Sequence, residues 1–354
     1  MREFGSEHPA VVLPDGYFES FNRFGHCTWL RSGREALQLA GLNVRQEGEH
    51  PTILMPAYSC HSMTDPFIRL GWKVEYYPLL SDLTVDTVAL TRLLKSIRPV
   101  AVLTMNFFGS ASTANAVACV KIVCPGCACI EDFSHGTFAL DVLFNPAVDF
   151  YVSSIRKSIG VCDGAVLIAK TPVDESFVLD EETAFVTIRR EEQLNKYRYG
   201  YSANPSTKEE FLSRLREQEA ELDDYEGIHR ISGTGKAQLS CINGQEIRYA
   251  RQVNMRHILN LLKGKVPSVS GIERCLGGAP FSFPILVEER DAVQDRLRRA
   301  GVYAPVLWPI SDAARAVCPV SAEMADRMLS IPIDQRFNFA DIEDIARIVL
   351  EKCS

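Results

Sequence analysis

Short apolar runs alternate with amphipathic stretches through the first half of the chain, the pattern of βαβ units around a mostly parallel sheet. Thr52 to Met55, ended by Pro56, reads as a strand, as do Val74–Tyr77, Val100–Met105, Ala128–Glu131, Phe150–Val152 and Ala165–Ile168. Between them, Val85, Val88, Leu90, Leu93, Leu94 and Ile97 recur at near-helical intervals. Ser32-Gly33-Arg34-Glu35-Ala36-Leu37 reads as a loop entering a helix, with Ser32 as its cap and Gly41 as its stop. Past Thr171 the pattern changes: Glu209–Asp224 is a charged surface helix, and Tyr249–Leu262 is a longer helix. A strand over Ala279–Val287, a helix over Asp291–Ala300 stopped by Gly301, and a last helix over Ala340–Lys352 follow. The pattern predicts a large α/β domain over residues 1–240 and a small C-terminal α+β domain over 241–354. No repeat or low-complexity linker separates them, so the two are expected to pack closely.

Composition narrows the class. A chain of 354 residues, 46% hydrophobic and 23% charged, can bury a full core and is neither disordered nor fibrous. With 38 Lys and Arg against 45 Asp and Glu, the net charge is −7 and no basic stripe forms, which argues against nucleic acid. The longest apolar stretches, such as Ala101–Met105 and Gly164–Ala169, fall far short of the roughly 20 residues that span a bilayer. The opening residues Met1 to Pro9 contain no apolar secretory segment, and a cytoplasmic location is expected. Eleven cysteines, an odd number spread over a long chain, suit free thiols in a reducing compartment. Cys124, Cys127 and Cys129 include one CxxC spacing, but no second CxxC or His pair completes a tetrahedral site, so no metal is expected.

Two segments carry candidate chemistry. Glu131-Asp132-Phe133-Ser134-His135 places an acid at the end of a strand, with a histidine three residues on. Ser153-Ser154-Ile155-Arg156-Lys157 follows the next strand and leads to Asp163-Gly164-Ala165-Val166. A carboxylate and a lysine at the carboxyl ends of sheet strands sit where α/β proteins place ligands.

With these residues in view, the chain resembles the DegT/DnrJ/EryC1/StrS aminotransferases, pyridoxal-phosphate-dependent enzymes of aspartate aminotransferase fold (fold type I). The resemblance runs in order through Ser32–Leu37, Pro56-Ala57-Tyr58, Phe107-Phe108-Gly109, Glu131–His135, Lys157 with Gly164-Ala165-Val166, Leu307-Trp308-Pro309 and Leu329–Arg336. It covers the chain from about Gly25 to the C-terminus and is faintest over residues 171–245. The implied fold is a seven-stranded, mostly parallel sheet flanked by helices, with a smaller C-terminal α+β domain. The implied activity is transfer of an amino group from an amino acid, glutamate or glutamine, to a carbonyl acceptor, commonly a nucleotide-linked ketosugar. A homodimer is implied too, because sites of this fold lie at a subunit interface.

The resemblance assigns roles residue by residue. Lys157 would bind pyridoxal 5′-phosphate covalently and, as a free amine, move a proton during transfer. Asp132 would hold the pyridine nitrogen protonated, and His135 would support that acid or the ring's 3-oxygen, with a satisfied core histidine as the alternative. The cofactor phosphate would take the helix start at Gly33, Arg34 and Glu35 together with Ser153 or Ser154. Arg34 offers a bidentate contact to phosphate or a substrate carboxylate, or else a surface ion pair. Where relatives stack an aromatic ring on the cofactor this chain has Cys60, so either Tyr58 or His61 takes that role or the cofactor is held differently. Gly200-Tyr201-Ser202, with Asn204 nearby, departs from the family's Gly-Tyr-Asn turn.

Other motifs lack their context. Ser154-Ile155-Arg156-Lys157 matches the SxxK of β-lactamase-like enzymes without the SDN or KTG partners, and neither GxGxxG nor GxxxxGKS occurs. Two further readings stay open: the same cofactor acting on an amino acid or small keto acid, or a catalytically silent relative, suggested by Cys60 and Ser202.

Overall fold

A computed structural model describes residues 14–44, 50–110, 113–180, 184–202 and 205–353. Strand β1 (His26–Leu30) leads into helix α1 (Gly33–Asn43), and the chain continues through β2 (Thr52–Pro56), α2 (His61–Arg69), β3 (Lys73–Tyr77) and α3 (Thr87–Ile97). Next come β4 (Ala101–Met105), α4 (Ala114–Val123), β5 (Ala128–Asp132), the short α5 (Leu140–Leu143), β6 (Phe150–Ser154) and β7 (Ala165–Ala169). These seven strands form one sheet in the order β1-β7-β6-β5-β4-β2-β3, in which β7 alone runs against its neighbours.

The expected mixed α/β architecture is therefore present, and its cause is burial on both faces. Every residue of β4, β6 and β7 is buried, as helices covering both sides of a parallel sheet require. Only the flanking β1 and β3 carry exposed residues. The pattern did not single out β1, whose alternation of exposed and covered positions in His26-Cys27-Thr28-Trp29-Leu30 is that of an edge strand. Helix α1 starts where expected, at the Ser32 cap, whose hydroxyl accepts the Glu35 N–H, but it runs past Gly41 to Asn43. Gly41 is a packing residue rather than a stop, since a Cβ there would lie 2.7 Å from Leu70 Cδ1.

After the sheet come β8 (Val178–Leu179), α6 (Ala184–Ser202) and α7 (Pro205–Glu221), then β9 (Ile228–His229), which pairs with β8 in parallel. Gly200, Tyr201 and Ser202 lie in the last turn of α6, and Asn204 falls outside the described residues. Helices α8 (Gly233–Ser240) and α9 (Gly244–Leu262) precede β10 (Phe283–Leu286), α10 (Arg290–Arg299), α11 (Asp312–Val317), α12 (Pro319–Arg327), β11 (Met328–Ile331) and α13 (Phe339–Lys352). The antiparallel pair β10 and β11, packed with α9, α10, α12 and α13, makes the smaller C-terminal α+β part. Among the described residues no helix is long and apolar enough to cross a membrane.

The cysteine cluster sits at the start of β5. Burial pushes the Cys127 thiol up and holds the Cys129 thiol at about 12, so both stay protonated at neutral pH.

Glu131, beside Asp132 on β5, is 1% exposed and accepts a hydrogen bond from Thr113 at 3.0 Å. Burial, reinforced by the Asp132 charge and opposed by Thr113, pushes its carboxyl from 4.5 up to about 8. Between those values the folded chain keeps a proton that the unfolded chain has lost. Stability from this group is thus fully present below about pH 4.5 and is lost as pH rises toward 8. The Glu131→Gln variant, which cannot ionise, should melt higher relative to wild type near pH 9 than near pH 5. Thermal unfolding of both proteins at the two pH values checks this, and an equal offset at both would show that Glu131 does not titrate in that window.

Candidate functional site

The carboxyl ends of β5 and β6 meet the start of α1, and a cavity opens there. Gly33, Arg34, Leu37, Ser62, Met63, Asp132, Ser134, Ser154, Arg156 and Lys157 line it. Asp132 Oδ1 accepts the Ser134 N–H at 2.8 Å within the loop after β5, and Ser134 Oγ accepts the Ser154 N–H at 2.8 Å, which joins that loop to the end of β6. Gly33 closes the third side, because a Cβ there would stand 2.9 Å from Ser154 Cβ. The Ser32 hydroxyl takes the Glu35 N–H and the Ser32 carbonyl takes the Ala36 N–H, which leaves the Gly33 and Arg34 N–H groups at the cavity without an intrahelical partner.

Lys157 ends the 3-10 turn Ile155–Lys157 that follows β6. Its side chain is exposed, and its amine makes no hydrogen bond or ion pair among the described residues. Asp132, by contrast, is 4% exposed. A free amine and a buried carboxylate thus face one small cavity from adjacent strands.

Positive charge gathers on the α1 side. Arg156, its side chain 8% exposed, grips Glu219 of α7 with two hydrogen bonds of 2.6 and 2.9 Å. Arg189 reaches the same carboxylate at 3.1 Å, and Arg34 pairs with Asp223. Burial alone would push the Glu219 carboxyl up, but Arg156, Arg189 and Arg34 outweigh it and hold it at about 2. The Nε atoms of Arg34 and Arg156 remain buried without a partner.

The structure separates the proposed cofactor residues into two sets. Gly33, Arg34, Asp132, Ser154 and Lys157 share the cavity. Ser153 faces elsewhere, with its hydroxyl 2.7 Å from that of Thr137. The Glu35 carboxylate is fully buried behind α1, where Arg31 and both the backbone and ring nitrogens of His229 surround it. Tyr58 is buried between Phe107 and Trp308, with its hydroxyl toward Met328 Sδ at 3.9 Å. Cys60 precedes the first turn of α2 with its thiol 2.9 Å from Ser62 Oγ, and His61 is exposed. From α2 it is Ser62 and Met63 that line the cavity.

His135 lies behind the cavity lining. Its ring is stacked on Phe281 at 4.0 Å and 5°, with Trp308 on it at 5.5 Å and 16°. Nδ1 accepts the Phe108 N–H at 3.2 Å, so the proton of the neutral ring is on Nε2. Burial, then the charges of Lys157 and Arg251, holds His135 well below the usual histidine range, and it is neutral at pH 7.

Sequence reasoning passed over Ser62, Met63, Ser134 and Arg156 as cavity residues. Ser134 and Arg156 stand inside the two segments already singled out, so their signal was adjacency to Asp132 and Lys157. Nothing in the sequence marks Ser62 or Met63, which α2 carries in from another strand connection.

No family model matches the chain, and no curated protein matches it in sequence. Solved structures do match in shape. One is a DegT DnrJ EryC1 StrS aminotransferase from Brucella abortus, at 16% identity and a TM-score of 0.66, covering 97% of this chain and 92% of that one. Helicobacter pylori PseC, an aminotransferase involved in the biosynthesis of pseudoaminic acid, aligns at 14% identity and a TM-score of 0.66, over 96% of this chain and 92% of its own. S. venezuelae DesV, solved in complex with a ketimine intermediate, aligns at 17% identity and a TM-score of 0.65, over 95% and 88%. The chain has, over nearly its whole length, the fold of the DegT DnrJ EryC1 StrS aminotransferase structures.

Proposed function

We propose that the chain is a pyridoxal-phosphate-dependent aminotransferase that takes an amino group from glutamate or glutamine and delivers it to a carbonyl acceptor, a nucleotide-linked ketosugar. The observation that carries this reading is the unpartnered Lys157 amine in one cavity with Asp132 and the open N–H groups of α1. Donor and acceptor, together with the cofactor, rest on the family resemblance and the shared fold.

The residues present fit that cofactor. At one end stand the Gly33 and Arg34 N–H groups, the Ser154 hydroxyl and two buried Nε atoms without partners, a donor set suited to a phosphate. At the other stands the Asp132 carboxylate, suited to a protonated ring nitrogen. When bound, pyridoxal phosphate supplies an aldehyde and a ring that accepts electrons.

The chain's own work then divides among few groups. Lys157 holds the cofactor through its amine and, when released, accepts and returns a proton at Nζ. The Ser134 N–H orients Asp132 by fixing Oδ1. Gly33 lets α1 approach Ser154 closely, so that backbone donors and hydroxyl converge. His135, neutral and held by its stack, supports the loop after β5 without adding a charge. The exposure of Lys157 in the single chain supports a homodimer in which a second subunit covers the site.

Purified protein mixed with pyridoxal phosphate is expected to show a visible absorption band that glutamate discharges. The Lys157→Ala variant should lack the band and lose the glutamate half-reaction by at least about 10³-fold. A band in Lys157→Ala equal to that of wild type would sink the assignment, and a Lys157-dependent band that no donor discharges would favour the silent-relative reading.

The two serines separate in a second measurement. Ser154→Ala should weaken pyridoxal phosphate binding by roughly tenfold, the loss of one hydrogen bond to a charged group, while leaving affinity for pyridoxal, which has no phosphate, unchanged. Ser153→Ala should leave both affinities alone, because its hydroxyl is engaged with Thr137. Equilibrium titrations with both compounds check this, and the reverse pattern would move the phosphate to Ser153.

A further inference from the structure

Arg251 of α9 is 2% exposed, yet no carboxylate lies within ion-pair distance of it among the described residues. Its guanidinium makes three hydrogen bonds, all to neutral acceptors: Gln335 Oε1 at 2.9 Å, the Pro280 carbonyl at 3.3 Å and the Ser158 carbonyl at 2.9 Å. Phe138 and Phe281 lie 5.8 and 6.0 Å from its central carbon. Burial pulls its pKa down to about 10, even with Asp334 pulling the other way. A buried cation without a counter-ion is costly, and an apolar side chain of similar volume is the cheaper way to fill a core. The arginine must therefore supply something that packing does not.

What it supplies is a grip on one backbone atom. Ser158 directly follows Lys157 and caps the 3-10 turn that presents it. Its carbonyl accepts from Arg251 and also from Gln335 Nε2 at 3.1 Å. Arg251 orients Gln335 in turn, so one guanidinium and one amide form a closed clamp on that carbonyl. Among the described residues the Lys157 amine makes no hydrogen bond or ion pair, so the direction of its side chain depends on where the turn is held. Arg251 also lies over Phe281, whose ring is stacked on His135 behind the cavity.

We propose that Arg251, with Gln335, is a positioning residue for the proposed aminotransferase, fixing the Lys157 turn through the Ser158 carbonyl. This rests on Lys157 being the cofactor lysine. The test measures capture of pyridoxal phosphate on Lys157: its amine condenses with the aldehyde and releases water, borohydride then adds hydride and a proton enters at nitrogen, and mass spectrometry quantifies the modified peptide. Thermal unfolding is recorded alongside on wild type, Arg251→Met and Gln335→Leu.

Arg251→Met removes a buried charge and strands no partner charge, so its melting temperature should stay close to that of wild type. Capture at a pyridoxal phosphate concentration that half-saturates wild type should nevertheless fall about tenfold, as expected for a misplaced reacting group. Gln335→Leu, which leaves Arg251 on the carbonyl, should lose about threefold, the share of one neutral hydrogen bond. A residue with a merely structural role would show the opposite, a lowered melting temperature with capture per folded molecule unchanged. Should Arg251→Met not fold, Gln335→Leu decides, and wild-type capture in that variant overturns the proposal. Wild-type protein that captures nothing on Lys157 overturns the proposed function and this inference together, whereas equal capture in wild type and variants overturns this inference alone.

Discussion

Two linked hydrogen bonds, one within the loop after β5 and one from that loop to the end of β6, hold the site together. Asp132 takes the N–H of Ser134, and Ser134 takes the N–H of Ser154, so the loop after β5 cannot shift without pulling the end of β6. Lys157 is three residues beyond Ser154, and Gly33 packs against that serine from α1. Carboxylate, lysine and helix N-terminus are therefore parts of one rigid corner. Sheet burial on both faces makes this possible, since inside the sheet every backbone group is committed to the ladder and only the strand ends can offer theirs to a ligand.

Electrostatics adds a second constraint. Beside the cavity, Glu219 of α7 gathers the charge of arginines from three separate elements, Arg34 from α1, Arg156 from the turn after β6 and Arg189 from α6. Glu219 stays ionised because three guanidiniums outweigh its burial. Helices α6 and α7 thus act on the site through charge, although the stretch Glu209–Asp224 reads from sequence only as a charged surface helix. On the far side of Lys157, His135 is neutral and Arg251 is charged and buried, so polar character behind the site is held by stacking and neutral acceptors rather than by ion pairs.

The chain also shares its fold with structures of very different sequence. Identities of 14 to 17% to the solved structures accompany TM-scores of 0.65 and 0.66 over nearly the whole length. A sheet buried on both faces asks only for apolar residues of adequate size at most positions, and many sequences satisfy that.

The sequence by itself determined the alternation of strands and helices, the Ser32 cap, and the two segments that end in Asp132 and Lys157, because periodicity and capping are local properties of the chain. It left β1 unmarked, since an edge strand lacks the continuous apolar run that burial on both faces produces. Which serine faces the cavity was open from sequence, as Ser153 and Ser154 are adjacent and alike. The pleat decided it, turning one toward Thr137 and the other toward Gly33. Glu35, Tyr58 and His61 stood near the right segments in sequence, yet their side chains go behind α1, into an aromatic core and out to solvent. Only the tertiary structure could bring Arg156 to Glu219, or Arg251 to the carbonyl of Ser158, because those contacts join residues 63 and 93 positions apart, and no local pattern encodes a long-range partner.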